Sequence, residues 1–149
     1  MRIRRRVTIE APAELVWDVI TDLRRAREWA PGFEDYPSIS PAWPKEGATA
    51  TWRFHAGSLH FDFELTLTES VRGKALQITS RSLFGEGLEV YSFAMSGATT
   101  TIWYDASDQP NFLGRLAARF FEKRMVQRMD RAMAGLKTYC EARAKARPR

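Results

Sequence analysis

Residues 7–32 read VTIEAPAELVWDVITDLRRAREWAPG, and this stretch decides the fold. Val7 and Ile9 alternate with polar neighbours as a short strand does. Pro12 follows Ala11 at a point where a helix can begin without losing a needed N–H donor. Leu15, Val16, Val19, Ile20 and Leu23 then recur at helical spacing, which makes one face of the next dozen residues apolar. Asp22 and the Arg24-Arg25 pair lead into a second short helical piece, and Trp29-Ala30-Pro31-Gly32 stops it.

Working outward, residues 33–46 (FEDYPSISPAWPKE) carry three prolines and read as an irregular extended connection. From Gly47 to Asp105 turn signals at Ala56-Gly57-Ser58, Arg72-Gly73, Gly85-Glu86-Gly87 and Gly97 divide the chain into an antiparallel meander of about five strands. From Phe112 to Ala144 there is no proline, and Gly114 and Gly135 are the two glycines. Strong helix formers dominate there, so the stretch reads as one long helix of about 45–50 Å. With no internal repeat and no second boundary, residues 1–149 read as a single domain, with a frayed basic tail from about residue 145.

The chain is 44% hydrophobic and 28% charged, as soluble globular proteins are. MRIRRR begins as a secretory signal would, but VTIEAPAE follows in place of an apolar run. Cys140 is the single cysteine, which excludes an intramolecular disulfide and is expected to be a small buried hydrophobe. A cytoplasmic location is the expectation. The net charge of +5 is concentrated: from residue 112 onward eleven Lys or Arg stand against Glu122, Asp130 and Glu141. Such a surface attracts phosphates. No RNA-binding or recognition-helix pattern accompanies it, so nucleic acid is not an expected partner. A solvated helix face accounts for the charge, and contact with an anionic membrane stays open.

Strand parity assigns faces. An even loop at Ala56-Gly57-Ser58 puts Ala50, Trp52 and Phe54 on one face with Leu59, Phe61, Phe63, Leu65 and Leu67. Thr51, Arg53, His55, His60, Asp62 and Glu64 share the other, where Arg53 and Asp62 can pair and both histidines meet solvent. An even loop at Gly97 groups Tyr91, Phe93 and Met95 with Thr100, Ile102 and Tyr104. Leu76 and Ile78 share a side with Ser80 and Ser82. Phe61, Phe63 and Leu65 are expected to be buried, and no interior carboxylate, histidine or lysine emerges. On the long helix Ala117, Phe121, Met125, Met129, Ala132, Leu136, Tyr139 and Cys140 form one apolar stripe. Leu113, Leu116 and Phe120 form a second patch, to be covered by the proline-rich connection, a partner or a second copy in a homodimer.

The order strand, two short helices, five or six strands, long helix predicts an α+β fold. Together with Trp29-x-Pro31-Gly32 it resembles the START-like superfamily (helix-grip, SRPBCC), which includes the polyketide cyclase/dehydrase and lipid-transport families. Ala132-Met133-Ala134-Gly135-Leu136-Lys137-Thr138-Tyr139-Cys140-Glu141 resembles the closing helix of its bacterial members. The resemblance covers essentially the whole chain. It implies a curved antiparallel sheet of six to seven strands wrapped around the long C-terminal helix, with an apolar cavity between them.

The aromatic and sulfur side chains on the inner faces then become candidate ligand contacts. From the short helix and the meander these are Trp29, Trp52, Phe54, Phe61, Tyr91, Phe93 and Tyr104. Phe121, Met125 and Met129 come from the long helix, and the mouth is expected near Tyr36 and Pro37. No phosphate loop, nucleophile elbow or Cys/His metal spacing is present, and neither metal nor cofactor is expected. The preferred reading is binding of an apolar or amphipathic small molecule, lipid-like or polyketide-like. The alternative is a polyketide aromatase/cyclase or dehydrase. That chemistry would fall to Tyr91, Tyr104 and Ser80, for which no acid–base partner is visible.

Overall fold

The computed structural model describes residues 1–30 and 35–147. Strand β1 (Arg2–Ile9) leads into helix α1 (Ala13–Thr21) and a short 3-10 helix (Leu23–Glu28). The connection contains a two-residue strand, β2 (Ser38–Ile39). The meander follows as β3 (Thr49–Ala56), β4 (Leu59–Val71), β5 (Ala75–Ser82), β6 (Gly85–Ser96) and β7 (Thr99–Pro110). Helix α2 (Phe112–Ala146) closes the fold. The seven strands form one antiparallel sheet in the order β1-β7-β6-β5-β4-β3-β2. This is the helix-grip α+β arrangement.

Tight turns make the meander. Ala56 pairs with Leu59 and Ser96 with Thr99, leaving two-residue loops. Gly57 (φ 63°) and Gly97 (φ 62°) take the left-handed conformation in which such loops match the strand twist. The even loops fix parity as the alternation requires: Trp52 faces Phe63, Phe54 faces Phe61, and Tyr91 faces Tyr104. On the outer face Arg53 binds Asp62 at 2.8 Å, and His55, hydrogen-bonded to Asp35, is 56% exposed. Met95 pairs with Thr100 but, near the hairpin tip, is half exposed.

Helix α1 starts behind extended Pro12 and buries Leu15, Val16, Trp17, Val19 and Ile20. The Trp17 indole N–H donates to the Ala75 carbonyl at 3.2 Å, which ties α1 to β5. Helix α2 is capped by Asn111, whose side chain accepts from the Gly114 N–H at 2.8 Å. The helix runs through Ala146.

Helix α2 rests on the rest of the molecule near its two ends. Its buried residues are Gly114 and then Met129, Ala132, Met133, Leu136 and Cys140. A Cβ at Gly114 would lie 2.1 Å from the Phe84 carbonyl oxygen, and one at Gly135 would lie 2.1 Å from that of Trp29. Both glycines therefore mark places where backbone meets backbone. Between Gly114 and Met129 the helix stands off the sheet. Phe61, Phe63 and Leu65, expected to be buried, are only half-buried because they face that gap instead of the helix. The stretch Leu113, Leu116 and Phe120 is not covered by the connection and remains exposed.

Candidate functional site

The gap is a cavity of about 240 Å³ between the sheet and the N-terminal half of α2. Its walls follow from the two periodicities already described. Alternate residues of β3 and β4 supply Trp52, Phe54, Phe61 and Phe63, and the i, i+4 spacing on α2 supplies Ala117, Phe121, Met125 and Met129. The rings pack into one wall: Trp52 and Phe63 centroids are 4.9 Å apart, Phe61 and Phe84 5.0 Å, and Phe54 meets Phe121 edge-on at 6.2 Å. Arg128 lies over the Phe54 ring at 4.9 Å.

Seven of the ten side chains expected at a ligand site therefore lie on this cavity: Trp52, Phe54, Phe61, Tyr104, Phe121, Met125 and Met129. Ser80 lies on it too. The other three are elsewhere. Trp29 lies against Gly135 and lines a separate polar cleft with Tyr139 and Arg143. Phe93 belongs to the packed core. Tyr91 sits behind Tyr104, ring centroids 4.8 Å apart, and is buried. The interior narrows toward α1, and these positions fall past the point where α2 lands on the sheet. Of the described residues in the connection, including Tyr36 and Pro37, none lines the cavity; Pro31 to Glu34 lie outside the described residues.

The expectation of an uncharged interior is overturned by Glu89. Its strand reads Leu88-Glu89-Val90, and Glu89 has the parity of Tyr91 and Phe93, the face read as inner, but a carboxylate is not expected among apolar side chains. The register holds that parity: Glu89 pairs with Ile78 and Ala106, which also line the cavity, and shares its face with Tyr91. The Tyr104 hydroxyl donates to Glu89 Oε1 at 3.1 Å. The carboxyl is surrounded by protein yet keeps accessible surface because the cavity reaches it.

Burial raises the Glu89 pKa above the ordinary carboxylate range, and the Tyr104 hydrogen bond only partly opposes this. Burial, reinforced by the Glu89 charge, pushes Tyr91 and Tyr104 well above the usual phenol range. Both tyrosines therefore hold their protons at neutral pH and serve as donors. The polar end of the site is a hydroxyl–carboxyl pair able to donate or accept a proton, with Ser80 on the neighbouring strand. Cys140 is no candidate nucleophile: it is fully buried and its thiol is pushed up to about 12. Among the described residues no three His, Cys, Asp or Glu side chains converge as a metal site requires.

A stability measurement checks the Glu89 environment. Between its ordinary value of 4.5 and its raised native value, the folded state holds a proton that the unfolded chain lacks. The resulting stability is full below the unfolded pKa and is lost as pH rises through the folded one. Glu89→Gln cannot ionise and still accepts from Tyr104. It is expected to melt a few degrees above the parent at neutral pH, with the difference vanishing in acid. Thermal melts across that window read it, and equal melting temperatures at neutral pH would mean the carboxyl is solvated.

No curated protein matches the chain. Solved structures share the architecture. A Thermus thermophilus protein superposes with TM-score 0.76 at 16% identity, covering 97% of this chain and 99% of that one. The Zhui aromatase/cyclase of a Streptomyces species (strain R1128) gives TM-score 0.74 at 13% identity over 98% and 96%. A Chromobacterium violaceum protein gives 0.74 at 16% over 94% and 96%. At these identities the likeness is one of fold. The sequence itself goes further, because residues 1–141 match the family model described as polyketide cyclase / dehydrase and lipid transport. The sheet, the gripped helix and that nearly full-length match together place the chain in the polyketide cyclase/dehydrase and lipid transport family.

Proposed function

We propose that this protein binds an apolar or amphipathic small molecule, lipid-like or polyketide-like, in the cavity between the sheet and α2. The observation that carries the reading is an aromatic-walled space with the hydrogen-bonded pair Tyr104–Glu89 at its inner wall. Ligand sites combine these features: apolar walls supply affinity and a few polar groups set orientation. The cavity, at about 240 Å³, lies just below the usual range of roughly 300–1,000 Å³. A compact ligand fits best, with a carbonyl or hydroxyl at the Glu89 end.

Titration with fatty acids, sterols and aromatic polyketides, followed by tryptophan fluorescence, tests this. Trp52 lines the cavity and Trp29 does not, so the saturable change should disappear in Trp52→Phe. No saturation with any of these probes would sink the reading.

A second reading, turnover of the ligand, is favoured by Glu89 itself. Cyclisation with loss of water needs a group that takes a proton from carbon and another that protonates the departing hydroxyl. A carboxyl with a raised pKa, beside a tyrosine that keeps its proton, can serve both steps and end unchanged. The family and the aromatase/cyclase among the similar structures support the same chemistry. Under this reading Glu89→Gln abolishes loss of water from a polyketide substrate, read by mass spectrometry, while binding changes little. Binding without any product in the parent leaves the first reading standing alone.

A further inference from the structure

The outward face of the first turns of α2 is apolar where solvent would favour polar residues. Phe112 is 76% exposed, Phe120 71%, Leu116 44% and Leu113 38%. Phe112, Leu116 and Phe120 follow at i, i+4, i+8 and so form one ridge. Leu83, 59% exposed, sits beside the start of that ridge, because the Asn111 side-chain amide donates to its carbonyl at 2.9 Å. Single exposed leucines need no explanation, but a cluster of this kind marks an interaction site.

The charges around the ridge are predominantly positive. Arg115, Arg119, Lys123 and Arg124 are all exposed on these turns, and among the described residues none is paired with a carboxylate. The acid of the same stretch, Glu122, is exposed as well and borders the cavity, so four cations stand against one carboxylate here.

We propose that this end of the molecule docks on an anionic lipid bilayer. Phe112 and Phe120 enter the boundary between headgroups and acyl chains, and the four cations meet lipid phosphates. Amphipathic helices that carry aromatic residues among Lys and Arg bind membranes in this way. A second copy of the chain would bring like charges together across the ridge. The apolar side chains also project from a helix start and a turn and line no groove, so they suit insertion better than reception of a peptide. The inner face of the same turns, at Gly114, Ala117 and Phe121, walls the cavity. Docking thus brings the cavity within about one helix diameter, roughly 10 Å, of the bilayer.

Co-sedimentation of the full chain with vesicles tests this without any cavity ligand, so its outcome is independent of the function proposed above. Binding to vesicles containing about a third phosphatidylserine should exceed binding to pure phosphatidylcholine roughly tenfold, and should fall steeply with salt. Phe112→Ser/Phe120→Ser and Arg119→Glu/Lys123→Glu should each lose most of it. Exposed positions tolerate such changes, so both variants should melt near the parent temperature. No binding by the parent, equal binding by both folded variants, or equal binding to neutral vesicles overturns the proposal. So does a parent dimer in light scattering that Phe112→Ser/Phe120→Ser converts to monomer, because the ridge would then be a subunit contact.

Discussion

Leu136→Ala is expected to cost about 3–4 kcal/mol of folding stability, seen as a melting temperature roughly 10 °C lower. Leu136 has no exposed surface and lies where α2 closes on the sheet and α1, in the cluster that holds Val16, Ile102 and Met133. Removing its branched end leaves a void that the neighbours cannot fill, since Gly135 already holds the helix backbone against Trp29. The small gain in helix propensity of Ala over Leu does not offset this. Phe63→Ala is the contrasting variant. A fully packed Phe would cost about 3–5 kcal/mol. Phe63 is half-buried against an existing cavity, so the expected cost is about 1–2 kcal/mol, in the common range for point changes. Urea titrations of the two variants give the order. If Phe63→Ala proves the more damaging, the gap between helix and sheet is a packed core.

Met125→Trp is expected to lower ligand affinity at least about a hundredfold while leaving the fold intact. Met125 projects from α2 into the cavity, between Phe121 and Met129 on the same stripe. An indole there would occupy much of the space of about 240 Å³ that a ligand needs. The sign of the stability change is diagnostic. Filling a real void with apolar atoms commonly adds about 0.5–2 kcal/mol, whereas forcing them into a tight core costs about 1–3 kcal/mol. A melting temperature at or above the parent value, with the fluorescence response abolished, is the expected pair of results. A destabilised variant, together with a parent that binds none of the probes, would remove the cavity from the account.

Much of this architecture is readable residue by residue. The alternation Trp52-Arg53-Phe54, mirrored in Phe61-Asp62-Phe63 across a two-residue loop at Gly57, admits one register, and that register is observed. The same holds for Tyr91 opposite Tyr104. These are local properties: period two on a strand, period 3.6 on a helix, and a left-handed glycine at a tight turn leave few choices. The long helix from Phe112 to about Ala144 follows in the same way from composition and the absence of proline, and in the structure it reaches Ala146.

How far apart two correctly faced surfaces lie is not local. Phe61 and Phe63 have the parity of core residues, yet they border a cavity because α2 touches down at Gly114 and again from Met129 onward. Tyr91, Phe93 and Trp29 share the apolar character of the cavity wall but fall outside it, beyond the second landing point. Glu89 has the same inward parity as Tyr91, but a carboxylate is not expected in an apolar interior. Its inward parity is tolerated because the cavity stops short of dry packing, Tyr104 donates to it, and a raised pKa favours its neutral form. Sequence alone determined which face each residue takes and in what order the elements follow. The tertiary structure decided where the two faces meet and where they leave room, because that spacing depends on backbone contacts between segments remote in the chain.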